Sequence, residues 1–274
     1  MQDRIITDRN DGVDMRIACF TVDLDRDANI LLPDGSAGST DRGHGYSPRF
    51  RSSLKGAKML SRLFRETGVD ATFFAEAAML SEVSEDVLDS EVAMHGLEHE
   101  DLSVMSVRKM ERILTEASDT IKDFTGYRPE GFRAPFMRPN PEMYGILEDL
   151  GVEYDSSEYA DVTERMVPYT VGGLTEVPVP KGPDREGRNT TGYLWPMHEG
   201  KRSPQDCIDL ASKMKGGIFV IATHSWHMVE TAELGVMDSV WKKTNGDNIR
   251  KVIEALSDEG FEFMSVSRAL RVPF

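Results

Sequence analysis

The sequence predicts an α/β fold: a distorted or incomplete (β/α) barrel in a single domain. An amphipathic helical segment ends in glycine and runs directly into a short apolar strand, and this pattern recurs at Gly68, Gly151 and Gly260. Helices that feed directly into strands indicate a mostly parallel sheet. The length of 274 residues suits one barrel. A doubly wound sheet is the alternative, but the sequence lacks the glycine-rich phosphate loop that would favour it.

The spacing of apolar residues places the strands. They are predicted at 15–22, 69–74, 91–95, 131–134, 152–157, 176–179, 216–223 and 261–266. The segments 26–51 and 181–202 are rich in glycine, proline and charge and lack periodicity, so they are predicted to be long loops. In a barrel, loops of this size commonly shape the active site.

The clearest helix is predicted at 106–124, with Ser106 as its N-cap. One face of this helix is apolar and comprises Val107, Met110, Ile113, Leu114, Ala117 and Ile121. Asn140-Pro141 and Ser203-Pro204 each place a capping residue before a proline, which is typical of a helix start.

Composition and charge disfavour several classes of protein. The formal net charge of −15 argues against a nucleic-acid-binding protein and against binding to an anionic membrane surface. No apolar run approaches the ~18 residues of a membrane span, and the polar first residues show no export signal, so we expect a cytoplasmic protein. Two cysteines, Cys19 and Cys207, are expected to be buried thiols.

Polar side chains accumulate where the apolar strands end. Five strand ends carry Asp23 and Asp25, His95 and His99, Arg133, Asp155, and His224. Because the carboxyl ends of parallel barrel strands lie on one face, we expect these groups to converge there. Aspartate with two histidines can hold a divalent metal and leave a position open for water. Any one of these residues is a weak signal, but their coincidence at five strand ends predicts a site.

Residues His95, Glu98 and His99 also match the His-x-x-Glu-His motif of inverted zinc peptidases. That motif requires a helix, so that both histidines lie on one face. The preceding residues 91–94 are typical of a strand, and Gly96 weakens a helix start. The context therefore disfavours a peptidase.

From about residue 15 to 270, the sequence resembles the polysaccharide deacetylases of carbohydrate esterase family 4, the NodB-homology domain. The segments that carry the resemblance are ATFF, EVAMHGLEHEDL, GFRAPF, YDSS and DEGFEFMSVSRAL. The resemblance implies an N-terminal extension at 1–14, a catalytic barrel domain at 15–274, and deacetylation of N-acetylated sugars with a divalent metal, most often zinc.

The resemblance also implies roles for individual residues. The family's first motif usually has two adjacent aspartates, whereas here Leu24 separates them, as in a variant branch. The implied base is Asp23, and exchanged roles of the two aspartates are the alternative. The other implied roles are metal ligation by Asp25, His95 and His99, pairing of Arg133 with the base, general acid catalysis by His224, with His227 as second choice, and orientation of that acid by Asp155.

Two further alternatives stay open at this point. Some relatives of these deacetylases hydrolyse cyclic amides or imides, and the Asp-x-Asp spacing with the YDSS segment also resembles that branch. The other alternative is a carbohydrate-binding protein that has lost activity. Retention of the base, the three ligands, the arginine and the acid speaks against it. The expected partner is a carbohydrate or a small amide substrate.

Overall fold

The structure is a computed structural model that describes residues 16–26, 48–83, 87, 89–164 and 166–273. The predicted extension at 1–14 and residues 27–47 of the predicted loop at 26–51 lie outside the described residues. No helix in the described ranges is long and apolar enough to cross a membrane.

The described strands and helices follow each other in the order expected of an α/β chain. The strands are β1 (Arg16–Leu24), β2 (Thr72–Ala75), β3 (Glu91–Met94), β4 (Gly131–Phe132), β5 (Tyr154–Asp155), β6 (Tyr159–Asp161), β7 (Tyr169–Val171), β8 (Leu174–Glu176), β9 (Val179–Pro183), β10 (Asn189–Thr191), β11 (Gly217–His224), β12 (Glu230–Thr231), β13 (Gly235–Val236) and β14 (Phe261–Phe263). The helices are α1 (Pro48–Thr67), α2 (Val107–Thr125), α3 (Met143–Asp149), α4 (Trp195–His198), α5 (Pro204–Ala211), α6 (Ser239–Asp258) and α7 (Val266–Ala269).

The main sheet is a curled half barrel, which confirms the predicted fold class. Its strand order is β11-β1-β2-β3-β4-β5-β8-β7, and β14 pairs with the start of β1. All pairs are parallel except β7 with β8. A three-stranded sheet, β10-β9-β6, and the hairpin of β12 and β13 complete the described strands.

The strand register brings the polar strand ends to one edge of the half barrel. Asp23 pairs with His224, Met94 with Phe132, and Phe132 with Asp155. His95 and Arg133 directly follow two of these positions, so the side chains from five separate strands emerge at the same level.

The glycines that close α1, α3 and α6 explain why each helix can run directly into a strand. Gly68, Gly151 and Gly260 have φ values of 70°, 83° and 85°. This left-handed conformation ends a helix and is easily reached only without a Cβ atom. The sequence prediction at these three positions is confirmed.

The helix α2 packs the predicted apolar face against the sheet, with one exception. Met110, Ile113, Leu114, Ala117 and Ile121 are buried, whereas Val107 in the first turn is 47% exposed. Burying a side chain of this size contributes roughly 1.5–3 kcal/mol.

The predicted capping residues behave differently from one another. Ser106 occupies the N-cap of α2 but makes no capping hydrogen bond with its side chain. Ser203 forms a full capping box with Asp206 at the start of α5, as the Ser-Pro pair predicts. Asn140 accepts a hydrogen bond from the backbone N–H of Glu142, and α3 begins only at Met143.

Two element predictions in the region 176–202 are wrong. The segment 176–179 is not one strand, because β8 ends at Glu176 and β9 begins at Val179 in the other sheet. Pro178 lies between them and has no N–H to continue the ladder. The segment 181–202 is not a long loop, since it contains the end of β9, all of β10, and α4.

Candidate active site

The carboxylate of Asp23 lies buried at the end of β1. Its Oδ1 accepts a hydrogen bond of 2.7 Å from Arg133, and its Oδ2 accepts one of 2.7 Å from the hydroxyl of Tyr193. Burial by itself raises the pKa of this carboxyl, but Arg133 and the nearby imidazoles outweigh burial and hold the pKa below its usual range. Asp23 is therefore ionised at neutral pH and can accept a proton.

The guanidinium of Arg133 is fully buried and fixed on several sides. It donates to Oγ1 of Thr21 at 2.9 Å and to both the backbone and the side-chain oxygen of Ser156, at 3.0 and 2.9 Å. It also lies 4.1 Å from the ring centroid of Phe74. These contacts leave Arg133 little freedom, so it anchors the position of Asp23.

Three buried side chains form a candidate metal site beside Asp23. Oδ2 of Asp25 lies 4.0 Å from Nε2 of His95 and 3.7 Å from Nε2 of His99. The donor atoms of these three residues lie within 4.8 Å of one another. Donor atoms that share one ion through bonds of ~2.1 Å cannot lie more than ~4.2 Å apart. Both distances from Asp25 meet this limit, and one carboxylate with two imidazoles is a common ligand set for a divalent metal.

The ring of His95 is oriented by its second nitrogen. Nδ1 lies 2.8 Å from the carbonyl oxygen of Arg133, to which it can donate, and this leaves the Nε2 lone pair directed toward Asp25. Burial lowers the pKa of His95 to about 3, with partial opposition from Asp23. The imidazole is therefore neutral at pH 7, which is the form that binds a metal.

Three residues of the site have a backbone conformation that side chains rarely adopt. Among the described residues, the non-glycine positions with positive φ are His99 at 60°, Phe136 at 61° and Met137 at 54°. The ring centroid of Phe136 lies 4.5 Å from that of His99. Strain of this kind is typical of functional sites, where the surrounding fold must hold it in place.

The side chain of His224 lies next to both aspartates. Its Nε2 is 3.9 Å from Oδ2 of Asp23 and 3.9 Å from Oδ2 of Asp25, and the side chain is 24% exposed. Its ring stacks on that of Tyr193 with a centroid distance of 5.5 Å. His224 thus combines proximity to Asp23 with access to the pocket, the two features that a proton donor to a substrate requires.

The pocket is a cavity of about 190 Å³ that contains the candidate catalytic groups. Its lining consists of Asp23, His95, His99, Phe136, Met137, Tyr159, Tyr193, Trp195 and His224. His227 is not among these residues. It is buried, its ring stacks on Trp226 at 3.6 Å, and its Nε2 lies 3.4 Å from a carboxylate oxygen of Glu199.

The structure gives Asp155 partners other than His224. Its Oδ1 accepts hydrogen bonds from the backbone N–H of Ser156 and the hydroxyl of Ser157. Ser156 in turn binds Arg133, and Ser157 accepts a hydrogen bond from the N–H of Ala134. Asp155 therefore supports the segment that carries Arg133, and its expected contact with His224 is not formed.

Asp155 also forms a buried pair with Glu176, its register partner on β8. Burial is the main reason that the pKa of each carboxyl is raised, and the negative charge of Asp155 raises the pKa of Glu176 further. A raised pKa means that the folded state holds more protons than the unfolded state. The associated stability is present below the ordinary pKa of 4.5 of Glu176 and is lost as the pH rises toward its folded pKa.

We predict that Glu176→Gln stabilises the protein at alkaline pH. The amide keeps the shape and a hydrogen-bonding capacity but has no proton to lose. The free energy of unfolding of the variant, relative to wild type, should therefore rise between pH 5 and pH 9, by up to ~1.4 kcal/mol per pH unit. Urea unfolding at several pH values measures this, with Glu164→Gln on an exposed glutamate as the control. A difference that does not change with pH would contradict the raised pKa of Glu176.

Tyr193 is a site residue that the sequence analysis missed. It follows β10 within the segment predicted to be a loop, and it is buried against both Asp23 and His224. The aromatic and apolar run from Tyr193 to Trp195, inside a polar segment, was the one available signal. Tyr193 has no fixed spacing in the sequence from the other motifs, so only the tertiary structure shows that it contacts Asp23 and His224.

The backbone at residues 95–99 is not helical, so the peptidase interpretation stays disfavoured. Gly96 and His99 both have positive φ, and the two histidines approach Asp25 from a turn rather than from one helix face. The side chain of Glu98 is 48% exposed, where a general base of a peptidase would face the metal.

Comparisons with known proteins show which sequences and folds this chain is similar to. The family model described as polysaccharide deacetylase matches residues 55–154. A peptidoglycan deacetylase from Helicobacter pylori is 30% identical over 146 residues, which cover 52% of this chain and 49% of that protein. The chain thus aligns with about half the length of this relative.

Two solved structures share the fold over most of the chain. A probable polysaccharide deacetylase from Pseudomonas aeruginosa PAO1 has a TM-score of 0.64 at 18% identity and covers 94% of this chain and 91% of its own. The Puue allantoinase has the same TM-score and identity, with coverages of 95% and 91%. These structures show that the chain shares the fold of known polysaccharide deacetylases, and the family model extends the likeness to the sequence of residues 55–154.

Proposed function

We propose that this protein is a metal-dependent hydrolase that removes the acetyl group from an N-acetylated sugar or polysaccharide. The observation that carries the proposal is the placement of an ionised base, Asp23, beside the donor set of Asp25, His95 and His99, with His224 facing the same pocket. Zinc is the metal that this donor set favours.

Each of these residues has a separate role in amide hydrolysis. A divalent ion supplies Lewis acidity and a water of lowered pKa when it is bound. Asp23 accepts a proton from the attacking water, while Arg133 holds the carboxylate in place and keeps it ionised. His224 delivers a proton to the nitrogen of the leaving amine, which is otherwise a poor leaving group.

The exposed aromatic rings at the edge of the pocket favour a sugar substrate. Its volume of about 190 Å³ lies below the roughly 300–1,000 Å³ that encloses a whole drug-sized ligand. We infer that only part of the substrate, its acetamido group, enters the pocket. The aromatic rings of Tyr159 and Trp195 are 38% and 42% exposed at its edge, where they can contact the rest of a sugar ring.

A cyclic amide hydrolase is the second candidate. The fold is as similar to the Puue allantoinase as to the Pseudomonas aeruginosa protein, so the fold does not discriminate between the two activities. A small cyclic amide would also fit a cavity of this volume. An inactive carbohydrate-binding protein is the least favoured, since base, donor set and acid all lie together.

A substrate panel separates these candidates. Protein loaded with zinc is incubated with N-acetylglucosamine oligomers, with peptidoglycan fragments and with allantoin and hydantoin. Acetate release from the saccharides supports the proposed function. Ring opening of the cyclic amides without acetate release supports the second candidate, and no turnover of any substrate supports the inactive protein.

We predict that His224→Ala affects amides more than activated esters. The amine released from an amide needs a proton from His224, whereas the phenolate of an aryl acetate leaves with little help. Turnover of the amide should therefore fall by ~100-fold or more, and turnover of the ester by much less. His227→Ala is the matched control and should show no dependence on the leaving group. If His227→Ala shows that dependence and His224→Ala does not, the acid has been misassigned.

A further inference from the structure

Tyr193 contacts both of the groups to which we assign proton transfer. Its hydroxyl donates to Oδ2 of Asp23 at 2.7 Å, and its ring stacks on His224 with an interplanar angle of 27°. The same Oδ2 atom lies 3.9 Å from Nε2 of His224. The Tyr193 hydroxyl thus binds the carboxylate oxygen of Asp23 that faces His224.

The backbone of Tyr193 is fixed to the strand that carries His224. The N–H of Leu194 donates to the carbonyl of Ala222 at 2.8 Å, and the N–H of Ala222 donates to the carbonyl of Gly192 at 2.9 Å. Gly192 approaches β11 so closely that a Cβ atom there would lie 2.2 Å from the carbonyl oxygen of Val220. Tyr193 is therefore held beside Ala222 of β11, two residues before His224.

The contact with Oδ2 has a consequence for His224. With Arg133 at Oδ1 and Tyr193 at Oδ2, the carboxylate of Asp23 has a donor on each oxygen. Removal of the hydroxyl would leave Oδ2 without this donor. Nε2 of His224 is near enough to move closer and donate a hydrogen bond to it. A direct contact of that kind would turn the acid toward the base and away from the leaving group.

We propose that Tyr193 is a positioning residue that keeps the base Asp23 and the acid His224 apart and correctly oriented. The hydroxyl fixes the orientation of the Asp23 carboxylate, and the ring fixes the plane of the His224 imidazole. This inference rests on the proposed function and adds to it a residue outside the polar strand ends.

Two substitutions separate the two contributions of Tyr193. Tyr193→Phe keeps the ring and removes the hydroxyl, so kcat should fall about 10-fold or more with KM nearly unchanged. The loss should be larger for an N-acetylated sugar than for an aryl acetate, because His224 turns toward Asp23 and only the amide needs its proton. Tyr193→Leu also removes the stacking ring, so the difference between the amide and the ester should be larger still.

Tyr127→Phe is the matched control. Tyr127 is 46% exposed and is not among the residues that line the pocket. The same chemical change should therefore leave kcat within about twofold of wild type. Thermal unfolding of all three variants shows whether any loss reflects misfolding.

A structural readout tests the inference without catalysis. Crystal structures of wild type and Tyr193→Phe should show the distance between Nε2 of His224 and Oδ2 of Asp23 shortening from 3.9 Å to a hydrogen bond of ~2.8 Å in the variant. Wild-type protein that hydrolyses none of the substrates would overturn the proposed function, and this distance would still decide the role of Tyr193. An unchanged distance, or Tyr193→Phe activity equal to that of Tyr127→Phe, would overturn the inference.

Discussion

Asp23→Asn is expected to reduce turnover by ~100-fold or more while the protein still binds one divalent ion. The amide cannot accept a proton, whereas the donor set of Asp25, His95 and His99 is untouched. The fully buried Arg133 also loses its counter-charge, so the free energy of unfolding should fall by ~3–5 kcal/mol. Steady-state kinetics, elemental analysis and thermal unfolding measure the three effects.

The controls for Asp23→Asn separate the base from the metal site. Asp25→Asn should weaken metal binding, and Glu176→Gln, a buried carboxylate outside the pocket lining, should preserve both metal and activity near neutral pH. Loss of metal in Asp23→Asn with retention in Asp25→Asn would mean that the two aspartates have exchanged roles. This was the alternative that the inserted Leu24 left open.

His99→Ala is expected to remove the metal and abolish activity. The site has three protein donors, and loss of one leaves a pair that cannot compete with buffer for the ion. Elemental analysis of the purified variant should find far less than one ion per chain, and turnover should fall to background.

His227→Ala provides the comparison for His99→Ala. Both are buried histidines, but His227 lies with Glu199 and Trp226 rather than in the donor set. It should retain a full complement of metal. If His99→Ala keeps one ion per chain, then His99 is not a ligand and other residues hold the ion.

Much of the site was predictable from the sequence because the carboxyl ends of parallel strands lie side by side at one edge of the sheet. Asp23, His95, Arg133 and His224 lie far apart in the chain, but each follows an apolar strand, and the register brings them together. The three glycine-closed helices were predictable for a similar reason, since a left-handed residue after an amphipathic stretch is a local signal.

The features that sequence reasoning missed depend on tertiary contacts. Tyr193 is defined by hydrogen bonds to β11 and Asp23, not by any spacing in the chain. Asp155 follows a predicted strand like the other groups, yet its partner is Glu176 on the neighbouring strand, a carboxylate that no motif marks. Pro178 ended a strand that the apolar alternation alone would have continued.

The central claim is that Asp25, His95 and His99 hold a divalent ion beside the base Asp23. A crystal structure of zinc-loaded protein, with diffraction measured on both sides of the zinc absorption edge, tests it directly. We expect one anomalous peak within bonding distance of those three side chains and not bonded to Asp23, which keeps its contacts with Arg133 and Tyr193. A peak bonded to Asp23 in place of Asp25, or no peak at this site, would show that these three residues do not form the metal site.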